Sequence, residues 1–201
     1  MTLRSATRFT IAAVGALLLS ACGINSVPTA EENAKAKWAD VEAQFQRRAN
    51  LVPNLAEVAR GAAESEGAIL RDVTEARARA TSINVSAEDL GDAEKMAEFQ
   101  AAQNELGQGL GRLLASFEAY PQIQSNQNFL ALQSQLEGTE NRIAVAIRDY
   151  NEAVRQYNTT IRTFPDTIGA NLIHGAEPIV PYEAATDGAE IAPELDMTSG
   201  S

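Results

Sequence analysis

This chain of 201 residues has one cysteine, Cys22, and one histidine, His174. A thiol and an imidazole are the side chains on which nucleophilic catalysis and transition-metal binding most often rest, so their setting bounds the chemistry. One cysteine cannot close an internal disulfide or supply a Cys-rich zinc site. One histidine excludes any two-histidine metal centre. A di-iron site in a helical bundle needs Glu-x-x-His pairs on facing helices, and the residue three before His174 is Asn171. A Ser-His-Asp or Cys-His arrangement needs the imidazole held beside a nucleophile, whereas His174 lies in a proline- and glycine-containing C-terminal stretch. No Gly-rich loop follows a strand to cradle phosphate. The expectation is a chain with no catalytic residue, no metal and no cofactor. Nucleic acid is excluded on charge, since 16 basic residues against 27 acidic ones give a net charge of -11 and leave no basic excess to replace phosphate counterions.

Cys22 has a setting of its own. Arg4 and Arg8 precede an apolar run from Ile11 to Leu19, too short to span a bilayer, which takes about 20 residues. Leu19-Ser20-Ala21-Cys22 follows and resembles the lipobox of bacterial lipoproteins. That resemblance implies cleavage between Ala21 and Cys22, a diacylglycerol on the cysteine sulfur and an acylated new N-terminus. Two or more acyl chains hold a protein to a membrane where one does so only marginally. Gly23, where an aspartate would favour inner-membrane retention, favours the outer membrane if the envelope is Gram-negative. Loss of Arg4 and Arg8 would take the net charge from -11 to -13.

The other residues whose types invite attention are polar and come in two groups. Arg47, Arg48, Asn50 and Asn54 surround Pro53, and Glu140, Asn141, Arg142 and Arg148 follow later. The elements that position them are helices. The chain has 36 alanines and few aromatics, a composition that favours helix, and no stretch alternates apolar and polar residues as a strand would. Residues 30–49 read as a first helix with Ala34, Trp38, Val41 and Phe45 on one stripe. Residues 54–80 continue at about 3.6 residues per step. Pro53 either breaks this pair, capped by Asn50, or kinks one long helix. A loop over 82–92 follows, with Ser86 and Asp89 placed to start the next helix. That helix runs to about 119 with Met96, Phe99, Gln103, Leu106, Leu110, Leu113 and Phe117 on its stripe. Gly107, Gly109 and Gly111 inside it point to close approach by a neighbour. Tyr120-Pro121 ends it. The last helix, about 126–164, carries Phe129, Leu132, Leu136, Thr139, Ile143, Ile147, Tyr150, Val154, Tyr157, Ile161 and Phe164 at coiled-coil spacing, with Gly138 marking a local bend.

The organisation expected is a signal segment at 1–21, a tether at 22–29, a helical bundle at 30–164 and an extended acidic tail at 165–201. The tail holds seven acidic residues and no Lys or Arg. Its apolar groups Ile173, Ile179, Val180 and Tyr182 are placed to pack on the bundle, and its last dozen residues have a disordered composition. The fold class is all-α, an up-and-down bundle of three to four long helices. With helix ends aligned, Arg47 falls opposite residue 147 in an antiparallel pair or 143 in a parallel one. Either way the two polar groups are neighbours. They read as an inter-helix network that sets register, with one face open to a partner, or as a row of solvated charges.

Several motifs in order carry a further resemblance. Gln46-Arg47-Arg48-Ala49-Asn50-Leu51-Val52-Pro53-Asn54-Leu55 is one, and Glu118-Ala119-Tyr120-Pro121 is the next. Gln135-Leu136-Glu137-Gly138-Thr139-Glu140-Asn141-Arg142-Ile143-Ala144 and Arg148-Asp149-Tyr150-Asn151-Glu152-Ala153-Val154 follow, then Tyr157-Asn158 and Thr163-Phe164-Pro165. Over roughly residues 30–185 the chain resembles the LemA family. The resemblance implies an all-helical up-and-down bundle in an envelope or membrane protein whose molecular function is not established. Members often begin with a membrane-spanning helix, whereas a lipobox stands in that place here. The function expected is a lipid-anchored, non-catalytic bundle on the outer face of a bacterial membrane. It would contact the membrane through the lipid on Cys22 and serve an envelope protein partner in a structural or adaptor role. The rival is a ligand-binding or stress-sensing bundle that signals to another envelope protein, marked by a pocket with convergent polar groups. Oligomeric state is not legible.

Overall fold

The computed structural model describes residues 3–59 and 63–183, with side chains placed over 25–58, 67–121 and 123–183. The expectations for Ala21, Cys22 and the last residues of the tail fall outside the described side chains. The elements are α1 (Leu3–Ala59), α2 (Ala63–Ser82), α3 (Ala93–Ser116), α4 (Pro121–Gln124), α5 (Gln127–Thr160) and α6 (Asp166–Gly169), with a π turn over Ala170–His174. The fold is all-α. Among the described residues no helix is long and apolar enough to cross a membrane.

The helices form where apolar stripes need a partner. Trp38, Val41 and Phe45 of α1 are buried, as are Met96, Phe99, Leu106, Leu110 and Leu113 of α3 and Phe129, Leu136, Ile143, Tyr150 and Tyr157 of α5. Ends are set by side chains that take up orphan amides. Asp92 accepts from the Glu94 and Lys95 amides at the start of α3, and Asn126 accepts from the Asn128 amide at 2.8 Å at the start of α5. Ser86 and Asp89 do bond one another, but they close a single turn over Ala87–Asp89, and α3 starts only after Asp92.

Four expectations need correction. Of the two readings at Pro53 the break is not found, and neither reading places the end of the helix where it falls. The helix runs through to Ala59, and the next begins at Ala63. Pro53 has no amide to give the carbonyl four residues back, that of Ala49. Arg77 of α2 supplies the missing donor, its Nε reaching the Ala49 carbonyl at 2.8 Å. In a single straight helix those residues would lie about 40 Å apart, so the chain reverses between α1 and α2. The stretch 22–29 is helix rather than extended tether, and Val27 within it is fully buried. The last helix stops at Thr160, short of the expected 164, and Phe164 is 73 % exposed. Ile173 is also exposed, although Ile179 and Tyr182 are buried as expected.

Two apolar clusters stack along the bundle. One gathers Val27 to Phe45 of α1, the 85–90 loop, the start of α3, the C-terminal half of α5 and the residues from Ala170 to Tyr182. The other gathers Ala49 to Leu55, α2, the rest of α3 and the N-terminal half of α5.

Candidate functional site

The pairing of α1 with α5 decides which polar residues meet. Trp38 packs on Tyr150 with ring centroids 5.1 Å apart, and Arg48 meets Glu140 at 3.3 Å. Ser26 donates to Asp166 at 2.6 Å. The helices are therefore antiparallel, with Arg47 level with about residue 141 rather than 147. The difference arises because α1 extends past both ends of the segment 30–49, so the helix ends do not align.

Arg48, not Arg47, reaches across. Its Nη2 donates to the Gln103 backbone carbonyl at 2.7 Å and to Gln103 Oε1 at 3.0 Å. Its Nη1 donates to Glu140 at 3.3 Å. The guanidinium carbon sits 5.0 Å from the centre of the Phe45 ring. Gln103 Nε2 in turn donates to the Ala80 carbonyl at 3.1 Å, one of the orphan acceptors in the last turn of α2. One residue from each of α1, α2, α3 and α5 is thus tied at one level. Gly107 makes room, since a Cβ there would lie 3.3 Å from Arg48 Nη1. Gly109 lets Val73 approach in the same way, whereas Gly111 and Gly138 face open space. Among the described residues Arg48, Gln103 and Thr139 are the buried polar side chains, and they lie at the seam between the two apolar clusters. Sliding α1 against α3 by a turn would take the buried Arg48 guanidinium away from Gln103, and breaking such a buried charge contact costs about 3–5 kcal/mol. Gln103 was legible only as a polar residue on an apolar stripe.

The remaining polar motif residues stay outside this knot. Arg47 and Arg142 are exposed and line one cleft of about 340 Å³ with Leu51, Ser134, Gln135, Gly138 and Thr139. Asn50 accepts from Gln46 at 3.0 Å. Asn54 and Asn141 are exposed. Arg148 sits 3.6 Å from Asp149 on the surface.

A second polar array joins the apolar stripe of α5 to the C-terminal segment. Tyr150 and Tyr157 are buried, but each hydroxyl has work outside the apolar cluster. Tyr150 donates to the Val180 carbonyl at 2.8 Å and Tyr157 to the Glu177 carbonyl at 3.0 Å. The asparagine after each tyrosine makes a two-way contact. Asn151 donates to the Tyr182 carbonyl and accepts from its amide, both at 2.8 Å. Asn158 does the same for Ile179, at 2.8 and 3.0 Å. On the far side the Val180 amide donates to the Leu90 carbonyl at 2.9 Å. Residues 177–182 are an extended strap whose backbone is satisfied by a Tyr-Asn pair repeated after two helical turns. That repeat, 150–151 and 157–158, is the signal that could have found it. Burial pushes the Tyr150 and Tyr157 hydroxyls up, and pushes Tyr182 up to about 12. Tyr182 also stacks on Phe45 with centroids 5.8 Å apart, which joins the strap to the Arg48 knot.

A further cleft is lined by Glu42, Phe45, Gln46, Ile83, Asn84, Phe99 and Gln103, among others. Burial raises the Glu42 carboxyl, and no second carboxylate is among the cleft's lining residues. No group of three or more His, Cys, Asp or Glu side chains among the described residues is placed to hold a metal ion.

Comparison with known proteins adds relatives to this geometry. The LemA family matches over residues 37–196. Magnetosome protein MamQ 2 and Magnetosome protein MamQ 1 of Paramagnetospirillum magneticum are each 30% identical over 145 residues, 64% of this chain and 53% of the relative. Magnetosome protein MamQ of Magnetospirillum gryphiswaldense is 29% identical over 143 residues, with 63% and 53% covered. The chain spans about half the length of these curated relatives.

Proposed function

The chain belongs to the LemA family, and we propose that it is a lipid-anchored, non-catalytic bundle of the bacterial cell envelope with a structural or adaptor role. The observation that carries this reading is where the polar motif residues spend their hydrogen bonds. Arg48, Gln103, Asn151, Asn158, Tyr150 and Tyr157 bond the chain's own backbone or each other. They hold a shape and do not converge on a reacting atom, as nucleophile, base and oxyanion donors must. Membrane association of this chain draws support from the Leu19-Ser20-Ala21-Cys22 string. The magnetosome relatives are the part of the comparison that agrees with an envelope or membrane setting.

The anchor is tested with labelled fatty acid in a bacterial host. The expected outcome is label in the wild-type chain and none in Cys22→Ala, which also keeps residues 1–21. Equal labelling of the two would overturn the anchor. The adaptor role is tested by crosslinking in intact cells from Arg47 and Arg142, with a reproducible protein partner expected. The rival reading, a ligand-binding or sensing bundle, rests on the cleft these two arginines line. Neither bonds any described residue, so both are available to an anionic group. A small carboxylate or phosphate that raises the melting temperature of the wild-type protein, but not of Arg142→Gln, would favour that reading over an adaptor.

A further inference from the structure

Most of the large apolar side chains left in water lie in one short segment. Phe164 is 73 % exposed, Ile168 51 %, Leu172 82 % and Ile173 60 %, and only Leu130 and Val145 join them among the described residues. Ile168 lies in α6, Leu172 and Ile173 lie in the π turn that continues it, and Phe164 lies in the turn just before. A cluster of that kind on a protein surface marks an interaction site more often than chance.

Its place in the fold says what it meets. Asp166 accepts a 2.6 Å hydrogen bond from Ser26, and Ala170 packs in the same apolar cluster as Val27. The patch is therefore fixed against α1 one helical turn after Cys22, a rise of about 6 Å. On the N-terminal side of that point α1 leads into the apolar run Ile11 to Leu19. Charge agrees with the position. Between Thr163 and Ala176 the sole acidic residue is Asp166, which Ser26 already engages. Arg162 precedes the apolar side chains, in a chain that is otherwise strongly acidic. A small apolar surface with an arginine beside it and its one carboxylate already engaged suits an interface with anionic headgroups.

We propose that Phe164, Ile168, Leu172 and Ile173 form a second membrane contact, seated in the lipid surface beside the point where the chain is anchored. The anchor alone would leave the bundle free to swivel. Two contacts on one end fix its long axis away from the membrane and present the opposite end, at Leu130 and α4, to the envelope space. This rests on the anchored reading above, but its readout is separate from the acyl group.

The test uses the full chain reconstituted in vesicles of phosphatidylethanolamine and phosphatidylglycerol. Ile168→Cys, Leu172→Cys and, as control, Leu130→Cys carry a nitroxide. The unsubstituted chain labelled in parallel reports whether the Cys22 thiol is free. All three positions are exposed, so the core is untouched, and matching melting curves check it. Collision with oxygen is expected to exceed collision with a water-soluble nickel chelate several-fold at 168 and 172. The reverse is expected at 130, about 45 Å along α5. Nickel access at 168 and 172 equal to that at 130 would overturn the proposal. So would spin–spin broadening between copies at 172, because a second protomer would then cover the patch. If Cys22 proves unacylated while 168 and 172 stay shielded, the anchor falls and the patch stands.

Discussion

Arg48 is the residue on which the bundle's register turns. Its three acceptors are not equivalent. Gln103 is buried, whereas the Glu140 side chain is 46 % exposed. Gln103→Leu leaves a buried guanidinium short of a side-chain acceptor and strips the Ala80 carbonyl of its donor. It is expected to lower the unfolding free energy by about 3 kcal/mol in urea melts. Glu140→Gln removes a half-solvated charge and is expected to lower it by less than about 1 kcal/mol. Equal effects would mean that the ion pair, not the amide, holds the arginine. Asp89 makes a different kind of prediction. Lys95 first, and then Ser86, hold its carboxyl down from 3.8 to about 2. A carboxyl with a lowered folded value adds stability above its unfolded value and loses it as pH falls through the folded one. Stability contributed at the α3 entrance should therefore fade between 3.8 and about 2, and Asp89→Asn should flatten that part of an acid titration followed by circular dichroism.

At the scale of elements, glycine positions separate by what surrounds them. A Cβ at Gly111 or Gly138 meets nothing within 4 Å, while one at Gly109 would press on Val73 at 3.3 Å. Gly111→Ala and Gly138→Ala should each raise stability by about 0.5–1 kcal/mol, and Gly109→Ala should gain less or lose, as thermal melts would read. The stripes of α1, α3 and α5 were legible because a helix that buries one side must repeat apolar residues at its own pitch. The reversal between α1 and α2 was not, because the apolar spacing from Leu51 to Ala80 continues across it unbroken. Of the two readings at Pro53, a helix that continues through the proline is the one the fold takes, for a reason that no local rule contains. The carbonyl the proline orphans is satisfied by Arg77, a residue 28 positions on. The two polar groups were readable as neighbours, but choosing Arg48 over Arg47 needed the antiparallel register, which aligned helix ends misjudge. Tyr150-Asn151 and Tyr157-Asn158 were in plain view. The tyrosines sit on the apolar stripe of α5, and burial of their rings hides that both hydroxyls, with the amides of the asparagines beside them, bond an extended segment.

For the molecule as a whole, the strap adds a mechanical consequence. It runs antiparallel to α5, from Glu177 beside Tyr157 to Tyr182 beside Asn151, and so departs from the end at which Ser26 and Asp166 meet. A load applied beyond residue 183 and resisted at the start of α1 pulls the strap along its own length. Its seven hydrogen bonds to Tyr150, Asn151, Tyr157, Asn158 and Leu90 then share the force in shear, and do not open one after another as in peeling. Single-molecule pulling from the two chain ends should show one high-force rupture before the helices extend. Asn151→Ala with Asn158→Ala should lower that force markedly while leaving the far-ultraviolet helical signal unchanged. On this geometry the C-terminal segment is a tension-bearing strut. A partner that seized the acidic tail would transmit its pull to the end of the bundle where Ser26 meets Asp166 before any helix gave way.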